Sequence, residues 1–184
     1  MRYAELHCRS GFSFLDGASH PQELIARALE LELPALALTD RNGLYGIVEA
    51  REALLELCEL ERREEEATAR LRLLYGSELT LDDGDAAVLI VKDLAGYGAL
   101  AGAITKGRLA ADKGEFRLSF DELAAETAGG RGLIVLSGGP RSAALRHLAA
   151  GESDAAARSL GRWREAFGAD VELVRHLVPG DRER

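Results

Sequence analysis

Three features are scarce in this 184-residue chain: cysteine, long apolar runs and positive charge. Cys8 and Cys58, the two cysteines, lie far apart and form no CxxC or finger spacing, which predicts reduced thiols and excludes a disulfide framework or a zinc finger. Apolar runs such as Ala86–Val91 are far too short to span a bilayer, and the polar N-terminus lacks the apolar core of a signal peptide. We therefore expect a cytoplasmic protein with no membrane association.

The shortage of basic side chains limits what the chain can bind. Acidic residues outnumber basic ones by 31 to 23, and the formal net charge is -8. Because tight binding to a phosphate backbone needs clustered cations, we do not expect this chain to bind nucleic acid by itself. Hydrophobic residues make up 47% of the sequence, enough for a core, and no Pro/Ser-rich linker divides it. We expect a single domain over residues 1–184.

Short apolar runs alternate with segments of helical periodicity. The runs predict strands over residues 3–7, 34–39, 73–81, 86–91, 132–136 and 170–175, with a turn at 82–85. Helices are predicted after a capping-box pattern at Ser19 and Gln22, and over residues 47–71, 93–104, 141–150 and 153–167. This alternation predicts an α/β fold with a mainly parallel sheet, open or closed into a barrel.

Polar side chains follow the predicted strands at the ends where βα folds carry their active sites. They are His7, Arg9 and Asp16 after the first strand, Asp40, Arg41 and Asn42 after the second, and Glu78 in the third. Histidine and carboxylates from separate strands suggest a divalent metal site for phosphate-ester hydrolysis. Guanidinium cannot ligate a cation, so the two arginines favour a metal-free arginine–carboxylate cluster instead. Seen alone, each of these residues also fits a turn or a strand cap.

The same segments carry a family resemblance. SGFSFLDGA matches the pattern S-x-(Y/F)-S-x-L-D-G-A, and LPALALTDRNGLYG matches L-(A/P)-A-L-A-L-T-D-H-x-x-(L/M)-(Y/F)-G. By these segments the chain resembles the PHP (polymerase and histidinol phosphatase) domain that opens bacterial DNA polymerase III alpha subunits and DnaE-type polymerases, most of all the error-prone branch. Later agreement lies at residues 76–78, 92–97, 132–139 and 171–176, so the resemblance covers nearly the whole chain.

The resemblance also implies a set of metal ligands, most of which this chain has changed. His7, Asp16 and Glu78 match family ligands, whereas Arg9 and Arg41 stand where the family has histidine. Ala86 replaces another histidine, Gly139 replaces a cysteine or histidine, and a final Asp-x-His pair would lie beyond Arg184. The implied fold is a PHP-type distorted (β/α)7 barrel that lacks its final strand and helix. Its open strand edge would favour self-association.

These observations lead to one favoured function and two alternatives. We expect a degenerate, non-catalytic domain without a cofactor, acting as a structural and interaction module in DNA replication or translesion repair. Its partners would be the remainder of the polymerase or replication and repair factors, and it would reach DNA only through that parent. One alternative is a residual phosphoesterase or 3'-5' exonuclease in which His7, Asp16, Asp40 and Glu78 hold zinc, manganese or magnesium. The other is a pocket where Arg9 and Arg41 bind phosphate or another anion.

Overall fold

The computed structural model describes residues 3–60, 71–137, 139–168 and 171–173, except for the side chains of 58–60 and 171–173. These residues form six strands and six helices in a mixed order, which confirms the predicted α/β class. The contacts divide the chain into two compact units, Met1–Glu78 and Leu79–Arg184. The assignment of a single domain stays a prediction.

The first unit contains three parallel strands and two helices. The strands are β1 (Glu5–Cys8), β2 (Ala35–Leu38) and the greater part of β3 (Arg72–Thr80), and the helices are α1 (Pro21–Glu30) and α2 (Ile47–Leu60). β2 pairs with both β1 and β3 in parallel. The helices bury the apolar faces that the periodicity predicted, against a core of Ile25, Ala28, Leu36, Leu38, Ile47, Ala50, Ala53 and Leu71.

The start of α1 differs from the sequence prediction by one residue. Pro21 occupies the first helical position, where its missing N–H costs nothing, and His20 is therefore the N-cap. The Glu23 carboxylate accepts the backbone N–H of His20 at 2.8 Å. Glu23, and not Gln22, therefore completes the capping box. The prediction of Ser19 as the cap was wrong because it ignored this preference of proline.

The second unit contains strands β4 (Ala86–Val91), β5 (Leu133–Ser137) and β6 (Val171–Leu173). Its helices are α3 (Leu94–Leu109), α4 (Phe120–Glu126), α5 (Ala143–Ala149) and α6 (Ser153–Phe167). β5 runs antiparallel to β4 and parallel to β6. Trp163 is fully buried and packs edge-on against Phe120, with a ring-centroid distance of 4.9 Å, to form the aromatic part of the core.

Asp85 joins three elements of the second unit. Its carboxylate is buried and accepts hydrogen bonds from the backbone N–H of Ala143 at 2.7 Å and from the Trp163 indole at 2.9 Å. The turn before β4 is as predicted, with Gly84 in the left-handed region at φ 80°. The carboxylate therefore fixes the starts of β4 and α5 against α6.

Most element boundaries agree with the sequence to within a few residues. Helix α4 was not predicted. The predicted helix over 47–71 is described as far as Leu60, and residues 61–70 and 174–176 lie outside the described residues. No helix in the described part of the chain is long and apolar enough to cross a bilayer.

Candidate functional site

The candidate residues of the first unit lie where its strands end. The backbone that follows β2 is hydrogen-bonded to β3. The Glu78 N–H donates to the Asp40 carbonyl at 3.2 Å, and the Glu78 carbonyl accepts the Asn42 N–H at 2.9 Å. Parallel strands bring their carboxyl ends to one edge of a sheet. This edge gathers the predicted residues into two separate side-chain clusters.

The first cluster consists of His7, Arg9 and Glu78. One Glu78 carboxylate oxygen lies 3.0 Å from Nε2 of His7 and also accepts a short hydrogen bond from the Arg9 guanidinium. The Arg9 Nη2 atom is 3.0 Å from His7 Nε2, so the three side chains close a triangle. Glu78 is almost fully buried, and Arg9 is mostly so. A charge-assisted pair in such surroundings is much stronger than one on the surface.

The second cluster consists of Arg41 and Asp16. The Arg41 guanidinium donates a short hydrogen bond to the Asp16 carboxylate, and Nη2 also lies 3.3 Å from the carbonyl oxygen of Phe14. Both contacts reach the loop between β1 and α1. Arg41 therefore fastens that loop to the end of β2 with a side chain that is only partly exposed.

Asp40 contacts neither guanidinium in these hydrogen bonds. Its buried carboxylate accepts the Ser10 N–H and hydroxyl, both at 2.8 Å, and the Ser13 hydroxyl at 2.7 Å. The arginine–carboxylate cluster favoured by the sequence therefore includes Asp16 and Glu78, whereas Asp40 is bonded to two serines. Sequence reasoning missed both serines, although the S-x-x-S spacing at the start of the matched loop motif was a usable signal.

Asn42 has a structural position at this edge. It is buried and adopts φ 51°, the left-handed conformation that asparagine tolerates better than most residues. Ser77 bridges the same turn, since its hydroxyl donates to the Asp40 carbonyl at 2.7 Å and accepts the Gly43 N–H at 3.1 Å. The turn after β2 is thus held to β3 by both backbone and side chain.

Cys8 lies beside these clusters without the chemistry of an active thiol. Burial, with smaller contributions from the Glu5 and Asp40 carboxylates, raises the pKa of its thiol to about 11. Since the thiolate is the form that ligates metals and attacks electrophiles, Cys8 is neutral at physiological pH. Glu5 also accepts a hydrogen bond from the Tyr3 hydroxyl at 2.5 Å, which raises the pKa of Tyr3 to about 12.

The donor set does not fit a divalent metal centre. His7 and Glu78 remain together, but the Glu78 oxygen that faces His7 also receives the Arg9 guanidinium, and Asp16 receives that of Arg41. Among the described residues, no group of three or more histidine, cysteine, aspartate or glutamate side chains is arranged to hold a metal ion. Ala86 starts β4 and Gly139 follows β5, and neither has a ligating side chain. The roles predicted for the site residues stay predictions.

Comparison with known proteins identifies relatives of this chain. The family model described as the PHP domain matches residues 5–176. An error-prone DNA polymerase of Aromatoleum aromaticum is 47% identical over 133 residues, which are 72% of this chain and 12% of that protein. One from Mycolicibacterium paratuberculosis is 39% identical over 196 residues, which cover 99% of this chain and 17% of that protein. The chain thus spans less than a fifth of the length of these relatives.

A solved structure supports the fold. An amidohydrolase from Chromobacterium violaceum, described with bound sulfate and no metal, has a TM-score of 0.53 and 18% identity. The similarity covers 83% of this chain and 74% of that one. At this identity the similarity concerns the fold alone, and it agrees with the α/β architecture described above. Together with the match over residues 5–176, it leads to one conclusion: this chain belongs to the PHP domain family.

Proposed function

We propose that this chain is a degenerate PHP domain that performs no hydrolysis and acts as a structural and interaction module of a DnaE-type polymerase of the error-prone branch. Its process would be DNA replication or translesion repair. The names of the relatives support the polymerase context. One observation supports the loss of catalysis: the guanidiniums of Arg9 and Arg41 are bonded to Glu78 and Asp16, the carboxylates that the family resemblance assigns to metal ions.

The physical basis is competition for the same negative charge. Two opposite unit charges about 4 Å apart attract by roughly 4 kcal/mol near a protein surface, and more where water is excluded. A divalent ion would have to displace Arg9 from a buried carboxylate, and the displaced guanidinium would then lie beside a second cation. Because arginine stays protonated at all accessible pH values, a change of pH does not relieve this conflict.

We infer the partners and location from the same context. The module would contact the remainder of the polymerase or its replication and repair partners in the cytoplasm, and it would approach DNA only through the parent protein. The net charge of -8 supports this indirect role, because a phosphate backbone would be repelled. Self-association through an open strand edge stays a prediction.

Metal content and hydrolysis test the loss of catalysis directly. The purified chain should contain well under one equivalent of zinc, manganese or magnesium by elemental analysis, and it should not hydrolyse bis(p-nitrophenyl) phosphate when these ions are added. A double variant, Arg9→His with Arg41→His, serves as the matched comparison because it restores two imidazoles. Stoichiometric metal in the unmodified chain, with hydrolysis that Asp16→Asn abolishes, would contradict the proposal.

Anion binding is the second candidate, and it has one supporting observation. The Nε atom of Arg9 is buried without a hydrogen-bond partner among the described residues. The Nη2 atoms of Arg9 and Arg41 nevertheless donate to carboxylates, which disfavours a second anion beside them. A calorimetric titration with inorganic phosphate separates the two candidates, because binding that Arg9→Met abolishes would favour the anion pocket.

A further inference from the structure

The loop between β1 and α1 presents large apolar side chains to solvent. Phe14 is 79% exposed and Leu15 is 89% exposed. Phe12, Tyr45 and Val48 are also exposed, and the rings of Phe12 and Tyr45 lie near each other with a centroid distance of 6.2 Å. We call these five residues the apolar platform. Large apolar side chains exposed on a folded domain mark candidate surfaces for contact with another molecule.

The backbone beneath the platform is rigid and strained. Leu15 has φ 66°, a left-handed conformation that is unfavourable for a residue with a branched side chain. Two consecutive turns hold it there, because the N–H groups of Asp16 and Gly17 both bond to the Ser13 carbonyl at 2.9 Å. A loop without these hydrogen bonds could relax and bury the Leu15 side chain. Here the turns keep that side chain exposed to solvent.

The candidate site supplies the restraints on this loop. Asp40 binds Ser10 and Ser13, which flank Phe12 in the sequence, and Arg41 binds the Phe14 carbonyl and Asp16, which flank Leu15. Gly17 packs so tightly that an added Cβ would lie 1.9 Å from the Ser10 carbonyl oxygen. The polar network at the strand ends thus fixes the geometry of an exposed apolar surface.

We propose that the apolar platform docks against an apolar protein surface in the polymerase that carries a PHP domain of this type. This inference rests on the proposed function. The relatives that match this chain extend far beyond the matched segment, which is 12% of one and 17% of the other. A partner surface in the same polypeptide would have a high effective concentration, which favours docking on a small platform.

Charge argues against nucleic acid as the occupant. Val48 shares its helix face with Glu52, which is exposed, and Asp16 lies directly beside Leu15 in the loop. The Arg41 guanidinium is already bonded to Asp16 rather than open to a phosphate. Bases could stack on exposed aromatic rings, but the nucleic-acid backbone needs clustered cations. Exposed Arg51, three residues after Val48, is offset by the neighbouring Glu52.

A chimeric polymerase tests the docking. This chain replaces the aligned segment of the Mycolicibacterium paratuberculosis polymerase, which matches 99% of it. Hydroxyl-radical labelling of Phe14, Leu15 and Tyr45 is compared between the isolated chain and the chimera, and primer extension reports the activity of the chimera. We expect labelling to fall about fivefold or more in the chimera, because the centre of a docked interface excludes water.

Two variants separate docking from folding. Leu15→Asn with Phe14→Ser removes the apolar anchors, and asparagine tolerates the left-handed backbone, so the isolated chain should unfold at the same or a higher temperature. In the chimera the same pair should lower primer extension by about tenfold, the change that follows from losing one or two anchor contacts. Leu31→Gln, an exposed residue at the end of α1, is the matched control and should change neither measurement.

The outcomes that overturn the inference are distinct. Equal labelling in the isolated chain and the chimera would show that nothing covers the platform. Protection that grows with the concentration of the isolated chain would assign it to a second copy, and protection that requires primer DNA would assign it to nucleic acid. A chimera with a protected platform but no primer extension would contradict the proposed function and leave the docking supported.

Discussion

At the scale of single residues, Asp40 organises the first unit through hydrogen bonds rather than through charge pairing. Its two oxygens accept the Ser10 N–H and the hydroxyls of Ser10 and Ser13. A buried carboxylate with three donors is stable because each donor replaces a hydrogen bond to water. Gly46 packs closely against this group, since an added Cβ would lie 2.9 Å from the Asp40 carboxylate.

Replacing Asp40 with alanine should lower the free energy of unfolding by about 3 kcal/mol, because three donors lose their acceptor inside the protein. Asp40→Asn keeps an oxygen and offers a donor to the Ser10 hydroxyl, so it should cost only about 1 kcal/mol. Urea denaturation followed by circular dichroism measures both. The exposed Asp112→Ala is the control, and similar losses for alanine at positions 40 and 112 would contradict the role given to Asp40.

The sequence indicated which residues gather at the strand ends but not how they pair. His7, Arg9, Asp16, Arg41 and Glu78 could be located because strand ends follow from apolar runs. Which side chains pair depends on how the loops fold back on each other. Asp40, for example, bonds to Ser10, which is 30 residues away in the sequence. The left-handed backbone of Leu15 was also beyond the sequence, because leucine has no preference for it.

At the scale of elements, helix α3 is positioned by a contact between two glycines. Asp93 caps the helix by accepting the Gly96 N–H at 2.8 Å, and the Gly132 carbonyl accepts the Lys92 N–H at 2.9 Å. A Cβ on Gly96 would lie 1.9 Å from the Gly132 carbonyl oxygen. The start of β5 can therefore approach the first turn of α3 only while position 96 has no side chain.

Gly96→Ala should destabilise the chain by about 2–4 kcal/mol. The new methyl group would clash with the Gly132 backbone, which cannot move aside as a flexible side chain could. Gly98→Ala, one half-turn away in α3, has nothing within 4 Å of its Cβ and should stabilise by about 0.5–1 kcal/mol through helix propensity. Thermal unfolding of the two variants side by side measures the difference. A loss at position 98 as large as that at 96 would refute the contact as its cause.

Elements with strong periodicity were predictable, and α6 was predicted with its observed bounds. Helix α4 was missed because it is only seven residues long, yet Ser119 and Glu122 form a capping box that the sequence displays. The antiparallel pairing of β4 with β5 was not predictable from alternating strands and helices. Direction depends on how the chain crosses between the two strands, and local patterns do not encode that path.

At the scale of the whole chain, the proposed function gives two permanent charges the role that bound ions would otherwise have. The guanidiniums of Arg9 and Arg41 are covalently part of the protein, so their concentration at the site never varies. In a protein whose fold depends on metal, stability changes with the free metal concentration because binding and folding are linked. This chain should lack that linkage.

Chelation tests this expectation. If the proposed function is right and no ion contributes to the folded state, the thermal unfolding midpoint should be the same in buffer, in excess EDTA and after addition of zinc or manganese. Arg9→Met should lower the midpoint instead, since Glu78 would keep its buried charge and lose the guanidinium that neutralises it. A midpoint that falls with EDTA and returns with one specific ion would contradict the metal-free account.

The paired arginines also make this arrangement difficult to reverse. Changing Arg9 alone to histidine would strip Glu78 of its counter-charge while Arg41 still occupied Asp16, and changing Arg41 alone would free the Asp16 loop while Arg9 still held Glu78. Either half-step weakens the fold without assembling a complete set of ligands. On the proposed function, an ion-binding site would need at least both arginines changed together, in addition to the ligands that Ala86 and Gly139 do not supply.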